Sequence, residues 1–389
     1  MKRFFGAALA ALTLAACSDD TGVGPGRQEG YLYFNVSEGR GWVDDTKVSR
    51  SAVEAPMRME CSLNGAPIYL HTEVTPTMSS QLEASVSNTD SSEDAAETRG
   101  IRYTGDVFSL SSGSTPKISS FGVYATRTAD HGAILNYAMI TPDGTEASSP
   151  YAWNKKEQEI EGVWDSGTAD FYGYAPYFNN ASNDNGLSMT ANSNGVPILT
   201  YTVPTDVTKQ LDILTAKHTG VAKGDDVQLP FDHVMAAIKF NFKYGSTPDG
   251  TPADGGTTKD NFHWNDGVTT YDVKVTSIKI AGVYKKGTWQ VGENPYGTAR
   301  WTVDTSAGTG DFSYAPAKTL TGETSPVELN PDAGGNVFMM LPQQVPAGAK
   351  VLLTCELTPA GESTATKNMS LSVNLLETDG TTPKTWSRP

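Results

Sequence analysis

Val227–Tyr244 reads VQLPFDHVMAAIKFNFKY, and from Ile238 onward its pattern is unambiguous. Ile238, Phe240, Phe242 and Tyr244 are apolar, while Lys239, Asn241 and Lys243 between them are polar, the period of a strand with one buried face. The reading predicts a core strand there. Just ahead, Leu229-Pro230-Phe231-Asp232-His233 reads as an interruption, because proline denies a sheet one ladder hydrogen bond. The interruption marks the start of a second domain, with the boundary placed near Gly224 in the loop 217–226.

Working outward, the same two-residue period recurs on both sides. Upstream, Tyr31-Leu32-Tyr33-Phe34-Asn35-Val36 predicts a first strand with Leu32, Phe34 and Val36 on one face and Tyr31, Tyr33 and Asn35 on the other. Further strands are expected over 68–74, 121–125, 134–140, 171–174 and 197–203, with Gly, Asn or Pro in the gaps. Helix is expected only near 206–216, where Thr205 and Asp206 offer caps and Val207, Leu211 and Leu214 share a face. Downstream, Tyr271–Val283 alternates at Val273 and Val275 and again at Ile278 and Ile280, out of phase by one. A one-residue slip turns every side chain to the other face, so a β-bulge is expected at Thr276 and Ser277. Strands over 337–341 and 350–357 flank a turn at Pro342–Gly348, and Met369, Leu371, Val373 and Leu375 form the last strand. Many short strands with Gly and Pro turns predict an all-β chain of two β-sandwich domains, 31–224 and 225–389.

The N-terminus carries an address. Lys2 and Arg3 precede an apolar run from Phe4 to Ala16, too short for a stable membrane span and right for a secretory signal. Leu14-Ala15-Ala16-Cys17 resembles a lipobox, which implies removal of residues 1–16 and acylation of Cys17. At about 0.8 kcal/mol per buried methylene, several acyl chains hold a protein firmly on a membrane. Residues 17–30 read as a flexible tether. Ser18-Asp19-Asp20 resembles the tag that directs such lipoproteins to the outer face of the outer membrane. Formal charge is −15, which disfavours a phosphate backbone, so no nucleic-acid partner is expected. Of three cysteines, Cys61 and Cys355 remain as thiols, and spacing alone does not decide whether they pair.

Phe231, His233 and Ala236 before the alternating strand resemble the F-x-H-x-x-A signature of the fimbrillin family of bacterial surface lipoproteins. The likeness extends in family order through Phe171-Tyr172-Gly173-Tyr174-Ala175-Pro176-Tyr177, Tyr201-Thr202-Val203-Pro204, Asp212-Ile213-Leu214-Thr215-Ala216 and Phe338-Met339-Met340-Leu341-Pro342-Gln343. The resemblance implies two transthyretin-like Greek-key β-sandwiches in tandem and a role as pilus stalk, tip or anchor in cell adhesion. It further implies that an arginine-specific protease cuts behind the first strand, Tyr31–Val36. A strand from another pilus subunit then fills the vacated groove. The two candidate cut sites are Arg50, closer behind the strand, and Arg99, at the end of the polar tract 77–100, which has too few large apolar groups to order itself. Relatives continue past a tryptophan like Trp386 into a further strand. The resemblance therefore implies either that this copy is truncated or that it accepts a strand without giving one, which favours an anchor, a tip component or a non-polymerising relative over a stalk.

Signatures of catalysis are missing: no H-E-x-x-H, G-x-S-x-G, Walker loop or C-x-x-C is present. No enzymatic activity, cofactor or metal is expected. Five histidines, at 71, 131, 218, 233 and 263, show no ligand spacing, and His233 reads as a hydrogen-bonded packing residue. Asn183-Asp184-Asn185-Gly186 reads as a turn rather than a calcium loop. Trp42, Trp153, Trp164, Trp264, Trp289 and Trp301 leave open an alternative, a glycan-binding surface lipoprotein that stacks sugars on exposed rings. A host protein or glycan is the partner expected at the surface.

Overall fold

The computed structural model describes residues 30–38, 58–63, 66–73, 108, 118–142, 153–178, 186–238, 240–245, 263–265, 268–294, 301–319, 327–328, 337–376, 381–383 and 385–386. Cys17, Arg50 and Arg99 lie outside them, as do Trp42 and residues 183–185.

In chain order the strands are β1 (Tyr31–Glu38), β2 (Arg58–Leu63), β3 (Ala66–Glu73), β4 (Phe121–Arg127), β5 (Ala133–Ile140), β6 (Asn154–Lys156), β7 (Thr168–Ala175) and β8 (Leu187–Ala191). They continue as β9 (Pro197–Thr202), β10 (Leu214–Ala222), β11 (Val227–His233), β12 (Ala236–Ile238), β13 (Asn241–Gly245), β14 (His263–Asn265), β15 (Thr270–Tyr284) and β16 (Lys286–Gln290). The last are β17 (Thr302–Val303), β18 (Thr309–Tyr314), β19 (Lys318–Thr319), β20 (Val327–Glu328), β21 (Phe338–Met340), β22 (Lys350–Pro359) and β23 (Lys367–Asn374). The chain is all-β. Among the described residues helical geometry is confined to 3-10 turns, at Glu157–Glu159, Val207–Lys209 and Thr305–Ala307 and at Gly186. One of them, Val207–Lys209, is all that forms of the helix expected over 206–216. Asp206 caps it by accepting from the Thr208 amide.

The largest sheet runs β5-β4-β7-β10-β11-β1-β6. From β4 to β1 is four strand spacings, about 19 Å across a flat sheet. Yet the rings of Phe34 on β1 and Phe121 on β4 meet at 5.9 Å. The sheet therefore curls and encloses a core of its own, made by Leu32, Phe34, Phe121, Phe171, Leu229 and Phe231 among others. On its outer face Tyr124, Tyr172 and Tyr174 belong to a second, larger core. That core also takes buried residues of β8, β9, β15, β16, β21, β22 and β23.

The stretch 227–244 folds differently from its sequence reading. Val227, Leu229, Phe231 and His233 are buried in strict alternation with Gln228, Pro230 and Asp232, so this is a strand and not an interruption. Pro230 is tolerated because the ladder to β10 extends only over Leu214↔His233 and Thr215↔Asp232. Past that point the Gln228 amide donates to His218 Nδ1 at 2.9 Å instead. Gly224, the expected boundary, has φ +94° and lies in the turn joining β10 to β11. Core membership changes later, between Phe231 and Val234.

The expected bulge in β15 is present, since its register with β22 shifts between Val275 and Ser277. After β23, the Trp386 amide donates to the Gln343 carbonyl at 2.8 Å. Gln343 itself is clamped to one strand residue: its Oε1 accepts from the Tyr284 amide and its Nε2 donates to the Tyr284 carbonyl, both at 2.9 Å.

Candidate strand-exchange site

β1 is the first strand that the sequence singled out, and its surroundings define the site. It runs parallel to β11, with Phe34 opposite Val227, Asn35 opposite Gln228 and Val36 opposite Leu229. On its other side Tyr31, Leu32 and Tyr33 pair antiparallel with Lys156, Lys155 and Asn154 of β6. Parallel partners cannot be joined by a tight hairpin. β1 is accordingly an addition from a distant part of the chain, set between β11 and a three-residue edge strand.

Its side chains fill the curled core. Phe34 is fully buried and meets Phe121 and Phe171 edge to face, the arrangement favoured by ring quadrupoles. Leu32 is buried in the same core, and Val36 packs at its margin. Tyr33, expected on the outer face, is also buried, with its ring stacked on Tyr31 at 6.2 Å. Only Asn35 among the six is exposed. Burying Leu32 and Phe34 is worth about 1.5–3 kcal/mol each before the entropy of ordering is counted. The Phe34 amide donates to the Trp153 carbonyl at 2.9 Å, and the Glu157 amide to the Gly30 carbonyl at 2.7 Å. Sequence reasoning found the strand but not its partners. Trp153, Phe108 and Phe231, which pack around the same space, carry no local signal of that role.

The remaining candidates resolve as structure. His233 Nδ1 lies 2.9 Å from Asp212 Oδ1 with both side chains wholly buried, as a packing histidine should be. Trp153, Trp164, Trp289 and Trp301 are all buried, so none offers an exposed stacking face. Trp289 Nε1 donates to Thr215 Oγ1, and Trp301 Nε1 to the Val234 carbonyl. Cys355 is buried in the larger core. Among the described residues no group of three His, Cys, Asp or Glu is placed to hold a metal ion.

The geometry defines an all-β protein with an N-terminal strand inlaid, parallel, into a sheet made by much later residues. A profile described as Fimbrillin-like matches residues 113–377 of the 389. The chain belongs to the fimbrillin-like family. The matched span holds β4 to β23 and leaves β1, β2 and β3 outside it. No curated protein matches the sequence. Among solved structures, it is similar to a proposed cell adhesion protein from Bacteroides ovatus at 16% identity, over 73% of this chain and 82% of that one, with a TM-score of 0.33. A second, from Bacteroides uniformis, shares 18% identity over 64% of this chain and 82% of its own, with a TM-score of 0.32. A third, from Bacteroides thetaiotaomicron, shares 12% identity over 68% and 76%, with a TM-score of 0.24. The family assignment rests on the profile match and not on these superpositions.

Proposed function

We propose that this chain is a structural subunit of a surface pilus acting in cell adhesion, with β1 as its exchangeable strand. The observation that supports it most directly is the setting of β1. A short strand contributes Leu32 and Phe34 to a core otherwise built, among the described residues, from residue 108 onward, and its backbone pairs with β11. Such a segment is replaceable. Any extended strand of similar pattern satisfies the same backbone groups, while its alternate side chains select the fit.

In this reading the precursor leaves the cell by its signal, is acylated at Cys17 and reaches the outer membrane surface. An arginine-specific protease then cuts after Arg50 or Arg99, β1 departs, and a strand from another subunit enters beside β11. The same reading takes the chain as two sandwich units in tandem, and β8 and β9, which pack into the larger core with β9 paired to β16, bind the first unit to the second. The work is assembly rather than turnover, and any host protein or glycan is met by the assembled surface.

The test is a protease treatment followed by gels of boiled and unboiled samples. One dominant nick within residues 50–100, followed by a ladder of species that boiling collapses, is the expected result. An uncut chain, or cuts scattered through both cores with no ladder, refutes the proposal.

A further inference from the structure

The second N-terminal element to join a distant sheet is the hairpin of β2 and β3. β2 and β3 pair from Arg58↔His71 to Leu63↔Ala66. β3 then pairs antiparallel with β13 along the full length of that strand, from Asn241↔Glu73 to Gly245↔Tyr69. On the other flank of β13, β20 covers only Asn241 and Phe242. For Lys243, Tyr244 and Gly245, β3 is thus the ladder partner among the described residues. Like β1, the hairpin lies outside the span that matches the family, and β13 lies inside it.

The chain order makes these two additions unequal once the backbone is broken. Residues 39–57 join β1 to β2, and residues 74–107 join β3 to Phe108. A cut in the first segment frees a piece that, among the described residues, is held by β1 alone, while the hairpin stays covalently attached to the rest. A cut in the second frees a piece held at two places, β1 beside β11 and β3 beside β13. Two footholds on one piece make the second contact intramolecular, which raises retention by about 10²–10⁴ over either contact alone.

We infer that the β2–β3 hairpin is a retaining anchor for the N-terminal segment. Cleavage between β1 and β2 vacates the place beside β11, whereas cleavage beyond β3 leaves it filled. This rests on the proposed removal of β1 and adds which of the two cuts achieves it. Arg50 is the productive site, and a cut at Arg99 leaves a nicked chain that keeps its own first strand.

The experiment inserts a recognition site for a sequence-specific protease after Arg50 in one variant and after Arg99 in another. Each variant is cut as the whole chain, and the departure of the N-terminal fragment is followed by gel filtration in graded urea below the unfolding of the body. The fragment cut after Arg50 is expected to leave at least about a hundredfold faster than the one cut after Arg99. Equal rates overturn the anchor and leave strand removal intact. Retention of both fragments until the body unfolds overturns strand removal, and the anchor with it. Replacing residues 58–73 by a Gly/Ser stretch of equal length is expected to make the Arg99 fragment leave as fast as the Arg50 fragment. Leu70→Pro serves the same purpose should that replacement not fold. Slow release that persists in the replaced or substituted chain refutes the anchor.

Discussion

His233 Nδ1 stands 2.9 Å from Asp212 Oδ1 at the point where the chain passes from one core to the other, and neither side chain has any exposed surface. The backbone repeats the link next door, where the Val234 amide donates to the Ile213 carbonyl at 3.0 Å. The pair thus ties the end of β11 to the segment leading into β10 by side chain and main chain together. Removing the imidazole withdraws one partner from a buried carboxyl, so His233→Ala is expected to lose on the order of 2 kcal/mol. Urea unfolding checks it, and a loss no greater than for a surface alanine substitution refutes it.

Phe34 is the test of how much β1 contributes before any cut. Phe34→Ala removes a ring that touches Phe121 and Phe171, and is expected to destabilise the intact chain by about 3–5 kcal/mol. Asn35→Ala, on the exposed side of the same strand, should change stability by less than about 0.5 kcal/mol. Comparable losses for the two would mean that β1 is not seated as described.

Gly122 and Tyr174 are opposite one another on β4 and β7, and the ring occupies the space a side chain would need. A Cβ at Gly122 falls 1.9 Å from Tyr174 Cζ. Gly122→Ala must displace a ring that is 1% exposed, at an expected cost of about 1–3 kcal/mol. The same ring carries a buried hydroxyl with no hydrogen-bond partner among the described residues. Tyr174→Phe removes that hydroxyl and is expected to raise stability by about 1 kcal/mol. Thermal melts of the two variants should therefore move in opposite directions.

Alkaline titration reads the tyrosine face as a whole. Burial raises the phenols of Tyr137 and Tyr172 to about 12, with smaller upward contributions from Tyr124 on both and from Asp170 on Tyr172. Burial also lifts Tyr124, Tyr174 and Tyr201 above the ordinary value. The unfolded phenols ionise near pH 10, so between about 10 and 12 the unfolded chain binds fewer protons than the folded one. Stability is then complete below about pH 10 and falls as pH rises through 12. The phenolate absorbance of the folded chain should lag that of the urea-unfolded chain, and coincident curves refute the shifts.

Much of the fold could be read locally, because a half-buried strand writes its period into the residues themselves. β1 and β23 are visible this way, and the phase slip at Thr276 and Ser277 announces its bulge, whereas β4, β5 and β7 are legible from their β-branched and aromatic residues, β4 being buried on both faces. What escaped depends on partners. Pro230 looked like a break because its tolerance comes from where the β10 ladder stops and from a histidine ring twelve residues upstream. β10 hid behind Gly220 and the register shift between His218 and Val221, which destroy simple alternation. Within the candidate site, Leu32 and Phe34 were legible as an apolar face. Their parallel mate β11 was not, since nothing in a sequence marks which remote strand a segment will lie beside.

The parallel register of β1 on β11 gives the slot a direction. A segment entering in the direction of Tyr31 to Glu38 would lie parallel to β11 and antiparallel to β6, and a filament grown through this slot would repeat one contact head to tail. Such growth has no geometric reason to close into a ring unless the rotation per step happens to do so. Its two ends would differ chemically, one offering an empty slot and the other a spare strand, and length would be set by whatever occupies either end.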